Sequence, residues 1–550
     1  MFKSTALTGL VLLASCSLLG VQGQQGFNNP VLYEDFPDND ISMGPDGAFY
    51  FSASNFHYSP GAPILRSYDL VDWEFVGHSI PRLNFGTGYD LPASGERAYR
   101  AGTWASTLRY RKSNELWYWI GCTNFWITWV FTAPKPEGPW TNAGNYGGGV
   151  CFYDNGLLID DDDTMYVVYT FDGGKQVNVT QLAPDGLSTV RTEKVLVPGQ
   201  VGADSVEGNR MYKINGTYYI LNDHPGTTAY VWKSTSGSPW GPYEGKPLAD
   251  NVRSPVPGGG APHQGSLIQV PSTGNWYFMS FTWAFPSGRL PVLAPIQFQP
   301  DGFPVLVTTA NSSSWGTSYP YPLPRHPLHY PWTKHTYNFT TLSSPSSGIL
   351  PPAFEWNHNP DTSAYTLNSS SNGGGLILST ASVTTDLYSA RNTLTHRAHG
   401  EFPVGTLELD ISGMADGDRA GLAAFRDRSA YIGVHRTGQK FEITAVFNMT
   451  IDEYSGETRG LGYVAGSVEV PQGVGKVWLR CGMDARASGT REARFSYSFD
   501  ENGRKGWREL GGAYELYNGW AFFLGYRFGV FNFATKGLGG RVRVLSFMTA

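Results

Sequence analysis

An apolar residue, a tyrosine and a second apolar residue recur as a unit along the first half of the chain, each time behind a polar or glycine-bearing turn. The units are Phe49-Tyr50-Phe51, Trp117-Tyr118-Trp119, Met165-Tyr166-Val167, Tyr218-Tyr219-Ile220 and Trp276-Tyr277-Phe278. Their turns are Gly44-Pro45-Asp46-Gly47, Lys112-Ser113-Asn114, Asp160 to Asp163, Asn215-Gly216 and Ser272-Thr273-Gly274-Asn275. Such turns between aromatic and β-branched runs mark hairpins. The central tyrosines are 68, 48, 53 and 58 residues apart, room for about four short strands per unit. Five units predict a five-bladed β-propeller, placed at residues 24–325.

Sequence rich in Ser, Thr, Pro and Tyr runs from about 309 to 345, including Pro320-Tyr321-Pro322 and Ser343-Ser344-Pro345, and the connector between domains is placed at 326–345. Alternation then returns at Thr406 to Ile411, Ala420 to Phe425, Tyr431 to Val434, Phe441 to Val446, Lys476 to Arg480 and Ala493 to Phe499. Turn residues between these runs predict an antiparallel β-sandwich over 346–550. The expected fold class is therefore all-β. Composition agrees: 14% aromatic residues and 67 glycines among 550 residues suit strands and turns better than helices. A formal charge of −6 excludes a protein built around a basic field for nucleic acid.

At the N-terminus, Lys3 precedes an apolar run from Ala6 to Leu19, and small residues lead to Gly23. This is the pattern of a secretory signal peptide over 1–23, and it predicts a secreted, extracellular protein. The run is too short for a comfortable membrane span. Cys16 falls within it, leaving Cys122, Cys151 and Cys481. Cys122 and Cys151 lie near strands of one domain and are candidates for a disulfide. Six Asn-x-Ser/Thr sequons, at Asn178, Asn215, Asn311, Asn338, Asn368 and Asn448, are glycan acceptors in a eukaryotic host.

The repeat also sets a phase. Asp38, Asp154 and Glu207 each precede a central tyrosine by 12 residues, and Trp104 and His263 precede theirs by 14. In equivalent blades, equal phase means equal radius, so all five are expected to project from the innermost strands toward the axis. An isolated aspartate beside a turn usually caps it, but capping does not put three acids in one register. Carboxylates crowded in a dry pocket raise one another's pKa, so one can stay protonated while another is ionised. Glycosidic cleavage needs that pair, an acid for the leaving oxygen and a base for water. The other reading, a calcium site, wants a compact oxygen cage, and these acids are about 50 residues or more apart.

These segments resemble glycoside hydrolase family 43. The resemblance is carried by Asn29-Pro30-Val31-Leu32 with Phe36-Pro37-Asp38-Asn39-Asp40, by His57-Tyr58-Ser59-Pro60-Gly61, and by Arg66-Ser67-Tyr68-Asp69-Leu70 leading to Trp73-Glu74. It continues through Tyr153-Asp154-Asn155-Gly156, Val206-Glu207-Gly208, Pro262-His263-Gln264-Gly265 and Gly288-Arg289-Leu290-Pro291. It implies an inverting mechanism with Asp38 as general base, Asp154 as modulator of the acid's pKa, and Glu207 as general acid. It further implies that Arg289, Trp104, Phe56 and His57 bind the sugar. His263 would lie in the axial channel beside a calcium ion or a water, and no cofactor is otherwise required.

The second half resembles the concanavalin A-like C-terminal domain of β-xylosidases in that family, through Glu355-Trp356-Asn357-His358-Asn359-Pro360, Ala390-Arg391-Asn392-Thr393 and Asp416-Gly417-Asp418-Arg419. In such proteins it packs beside the propeller and can lend a loop to the cleft. The expected activity is exo-acting release of L-arabinofuranose from arabinoxylan, an α-L-arabinofuranosidase. The alternatives are a β-1,4-xylosidase releasing terminal D-xylose and a non-catalytic carbohydrate-binding protein. Plant cell-wall xylan or its oligosaccharides is the expected partner, with no nucleic acid and no membrane.

Overall fold

The computed structural model describes residue 1 and residues 26–147, 149–309, 313–326, 335–341, 350–368, 374–500, 503 and 505–550. The signal segment 1–23 lies outside them apart from residue 1, as does the Asn311 sequon.

Five four-stranded antiparallel sheets follow one another in sequence order and form the propeller's blades. Their first strands are Asp40–Met43, Thr107–Arg111, Tyr153–Ile159, Glu207–Ile214 and Gly265–Gln269. The second strands are Phe49–Ser52, Leu116–Thr123, Met165–Phe171, Thr217–His224 and Trp276–Trp283, so each repeat tyrosine falls on the second strand of its blade. Those tyrosines are buried or half-buried between blades, which explains why their aromatic bulk recurs. A short ribbon, Gly26–Asn28 against Ser318–Pro320, joins the two ends of the propeller.

Arg210, wholly buried, ties the inner strands together. Its guanidinium donates to the carbonyls of Asp38, Asn39, Asn155 and Asn209 at 2.8–3.1 Å. It also faces Asp40 at 3.2 Å. Burial alone would raise Asp40, but Arg109 and Arg210 hold it below the usual carboxylate range.

The sandwich consists of two eight-stranded antiparallel sheets. Its core holds Leu376, Leu407, Leu422, Ile432, Leu479, Phe495 and Val544. His335–Asn338, assigned above to the 326–345 connector, is a strand that pairs with Arg541–Thr549 in this domain. The Pro- and Ser-rich flanks obscured a four-residue strand. Conversely, propeller residues Tyr58–Ser59 form the edge strand of a sandwich sheet, with Ser59 opposite Trp356 and Tyr58 opposite Asn357.

Beneath that strand, Glu355 is wholly buried and meets Arg397 at 2.9 Å, His78 at 2.8 Å, and Arg527. Arg397 and Arg527 also donate to Asn55 Oδ1 at 2.8 and 2.9 Å. A hydrophobic cluster spans the same seam, joining Phe56, Tyr58 and Tyr99 to Tyr388, Phe425, Tyr431, Phe522 and Phe531.

Cys122 and Cys151 form a disulfide across a separation of 29 residues. Cys481 is a free thiol in the sandwich core, pushed up by burial. Closing a loop of that length contributes about 3–4 kcal/mol. The Cys122→Ser/Cys151→Ser variant is expected to unfold at a clearly lower urea midpoint. A midpoint equal to wild type would show that strand pairing alone holds the loop. Of the sequons, Asn178 is 7% exposed and accepts from Gln176, so it offers no room for a glycan, whereas Asn215, Asn338 and Asn448 are exposed.

Candidate active site

The acids stand where the inner strands begin. Asp38 precedes the first strand of blade one, Asp154 is the second residue of blade three, and Glu207 opens blade four. At both Asp154 and Glu207 the ladder to the second strand is interrupted by a bulge, between Tyr153 and Gly156 and between Glu207 and Arg210. Bulges re-aim side chains that regular pairing would point sideways. Asp38 and Asp154 have φ of 59° and 48°, the left-handed region that non-glycine residues enter at a cost and that gathers at functional sites. Gly208 is required: a Cβ there would lie 2.1 Å from Asp223 Oδ1.

The three acids line one small cavity of about 50 Å³, together with Phe56, Trp104, Tyr153, Gln264, Arg289 and Phe523. Asp38 accepts from Ser54 Oγ and from Arg289 Nη1, each at 2.6 Å. Asp154 accepts from the backbone N–H of Gly208 at 3.1 Å and so fixes the chain beside Glu207. Tyr153 donates its hydroxyl to Glu207 Oε2 at 3.1 Å. Burial first, then the charge of Asp38, raises Glu207. Burial first, then Glu207 and Asp38, raises Asp154 well above the usual range. Dry carboxyls this close cannot all ionise, so the site retains protons where an exposed acid would not.

The walls are aromatic. Phe56 stacks on Phe523 at 5.8 Å, and Trp104 meets Phe523 at 6.0 Å and Phe56 at 5.9 Å. Phe523 belongs to the sandwich, and its carbonyl accepts from Arg289 Nε at 3.2 Å. Asp35 completes this joint, accepting from the backbone N–H of Arg289 at 2.7 Å and from that of Gly525 at 2.9 Å.

One expectation is corrected. His57 does not reach the cavity. It is wholly buried on the far side of Phe56, its ring against Tyr58, Tyr99 and His358. Nδ1 accepts from the Arg100 N–H at 3.3 Å, and burial keeps the ring neutral. The turn at Phe56, with φ of 52°, sends the two neighbours opposite ways. His263 is buried beside the edges of Phe281 and Trp283, its Nδ1–H donating to the Ala261 carbonyl at 2.8 Å. Burial lowers it to about 4. It offers one nitrogen, whereas calcium takes six to eight oxygens. Among the described residues no group of three His, Cys, Asp or Glu side chains could hold a metal ion. The described side chains around His263 do not by themselves complete a calcium shell.

Tyr153, Gln264, Phe523 and Asp223 were missed. Asp223 is opposite Glu207 in the ladder, wholly buried, with no protein partner for either oxygen. A signal existed, because Asp223 follows its repeat tyrosine by four residues, as Ser54 and Thr170 follow theirs. Those positions back the acids from the second strand or just past its end: Ser54 donates to Asp38, and Thr170 is opposite Tyr153. Burial, then Glu207 and Asp154, raises Asp223 well above the usual range. A carboxyl raised by folding costs nothing below its unfolded value near 4, and weakens the fold as pH climbs toward its folded value. Asp223→Asn is therefore expected to gain melting temperature on wild type progressively as pH rises above about 5. A difference that stays constant over that range would show that Asp223 titrates as it does in the unfolded chain.

Residues 27–304 match the model of Glycosyl hydrolases family 43, and residues 346–547 match that of the Beta xylosidase C-terminal Concanavalin A-like domain. A beta-xylosidase of Formosa agariphila is 27% identical over 470 residues, 76% of each chain. The non-reducing end alpha-L-arabinofuranosidase BoGH43B of Bacteroides ovatus is 29% identical over 55% of this chain and 58% of its own. A solved GH43 glycoside hydrolase, whose engineered active site displays both endo-xylanase and exo-arabinofuranosidase activity, superposes with a TM-score of 0.89. It is 43% identical, over 96% of this chain and 99% of that one.

Proposed function

The chain belongs to glycosyl hydrolases family 43 and is a glycoside hydrolase, and we propose that it is a secreted, inverting, exo-acting α-L-arabinofuranosidase that removes L-arabinofuranose from arabinoxylan. The observation that carries this is the convergence of Asp38, Asp154 and Glu207 on one cavity walled by Phe56, Trp104 and Phe523. At about 50 Å³ the cavity leaves no passage for a polysaccharide chain to thread through, which supports exo action.

Glu207, raised by burial and by Asp38, keeps a proton for the leaving oxygen. Tyr153 donates to one oxygen of Glu207, leaving the other for that proton. Asp38 takes a proton from the attacking water, held in aim by Ser54 and Arg289. Asp154 orients the Glu207 backbone by accepting the Gly208 N–H, while burial and the neighbouring acids raise its own carboxyl. A base that activates water, rather than attacking the sugar itself, inverts the anomeric centre.

The arabinofuranoside preference is supported by the solved relative at 43% identity, whose engineered active site displays exo-arabinofuranosidase activity beside endo-xylanase activity. A second reading, β-1,4-xylosidase, draws on the Formosa agariphila relative and on the description of the C-terminal domain. The segment Lys3 to Gly23 supports secretion. Hydrolysis of p-nitrophenyl α-L-arabinofuranoside beside p-nitrophenyl β-D-xyloside tests the preference, and a dominant rate on the xyloside would reverse it. Proton NMR of the first-formed sugar tests inversion, and an anomer of retained configuration would overturn the role given to Asp38.

A further inference from the structure

A second depression opens directly beside the acid. It has a volume of about 440 Å³, is lined by Phe125, Trp126, Phe171 and Asp172, and shares Tyr153 and Glu207 with the catalytic cavity. Phe125, Trp126 and Phe171 are 59%, 61% and 51% exposed, and they are the exposed Phe, Tyr and Trp side chains of the propeller's described residues. Large apolar groups gathered at one place on an otherwise ordinary surface mark a binding groove.

The groove is built rather than incidental. The Cys122–Cys151 disulfide joins the ends of the segment that carries Phe125 and Trp126, and Ile127 bridges Val150 within it. Phe125 stands edge-on to Trp104 at 4.6 Å and against Tyr153 at 5.3 Å, so one ring borders both spaces. On the opposite rim Phe171 leads into a tight turn through Asp172, Gly173 and Gly174, all with positive φ.

We propose that this groove is the docking surface for the departing part of the substrate, an unbranched β-1,4-linked xylan main chain whose apolar ring faces lie on Phe125, Trp126 and Phe171. The inference rests on the activity proposed above. Glu207 gives its proton to the oxygen of the leaving group, so the leaving chain must lie on the Glu207 side of the cavity, where the groove begins. The terminal sugar is gripped by the acids and Arg289, and the chain it leaves behind is held by stacking. Aromatic side chains suit this because they offer broad contact at little entropic cost.

The test is Trp126→Ala/Phe171→Ala, with Phe125 left intact because it borders the cavity. On polymeric arabinoxylan, kcat/KM is expected to fall about tenfold or more, while on p-nitrophenyl α-L-arabinofuranoside it stays within about twofold. A parallel fall on both substrates, or none on the polymer, overturns the proposal. Calorimetric titration with linear xylotetraose is judged separately: an affinity about tenfold weaker in the variant supports the groove, and an equal affinity overturns it. Should wild type release no pentose from either aryl glycoside, the activity reading fails, and the titration still decides the groove.

Discussion

Glu207→Gln is expected to lower kcat on arabinoxylan by about 10²–10⁴-fold, with the fold and the ligand affinity intact. The change keeps the side chain's size and its contact with Tyr153 but removes the transferable proton. That loss corresponds to about 3–5 kcal/mol of transition-state stabilisation. The effect should depend on the leaving group. A p-nitrophenolate departs as a stable anion and needs little protonation, so the aryl arabinofuranoside should suffer much less than the polymer. Asp38→Asn should impair both substrates alike, since each needs an activated water. The alkaline limb of the pH profile should also vanish in Glu207→Gln, because wild type loses activity there as Glu207 gives up its proton. Equal losses on aryl and polymeric substrates, with that limb unchanged, would remove Glu207 from the role of acid.

Glu355→Gln is expected to destabilise the protein by about 3–5 kcal/mol, the usual result of leaving buried charges without a partner. Arg397 and Arg527 would then face each other across Asn55 with no counter-charge. In the wild-type protein Glu34, close by, is pushed up to about 8 by burial, with the charge of Glu355 adding to the rise. Burial by itself would raise Glu355, but the two arginines hold it far below the usual carboxylate range. Its contribution is therefore present above the unfolded value near 4.5 and is lost only as pH falls through the much lower folded one. Thermal unfolding measures the effect, and a melting temperature within about 2 °C of wild type would refute it. Activity should fall too. Arg397 also holds the Asp35 carbonyl at 3.0 Å, and the Asp35 carboxylate joins Arg289 to the loop that carries Phe523.

The propeller and its acids were legible because they obey one local period. A tyrosine on every second strand fixes blade and register together, and Asp38, Asp154 and Glu207 then follow by counting. What escaped the sequence obeys no such period. Phe523 meets Arg289 across 234 residues through a contact between domains, and no spacing in the chain announces it. Asp223 has a register too, but it lies four residues after its tyrosine, not twelve before as the other acids do. His57 was placed at the sugar by the resemblance alone, and the left-handed turn at Phe56 sends its side chain elsewhere. The strand at His335–Asn338 was hidden by the prolines and serines around it.

The two-residue strand Tyr58–Ser59 has a further consequence for how such proteins can be cut and recombined. It is coded within the first blade yet completes a sheet of the other half. A propeller produced alone would carry that segment with nothing to pair with, and would lack one wall of its cavity. The halves are therefore not interchangeable cassettes: a graft made at residue 345 must carry a compatible acceptor edge, or it will yield a scaffold with correctly spaced acids and a malformed pocket.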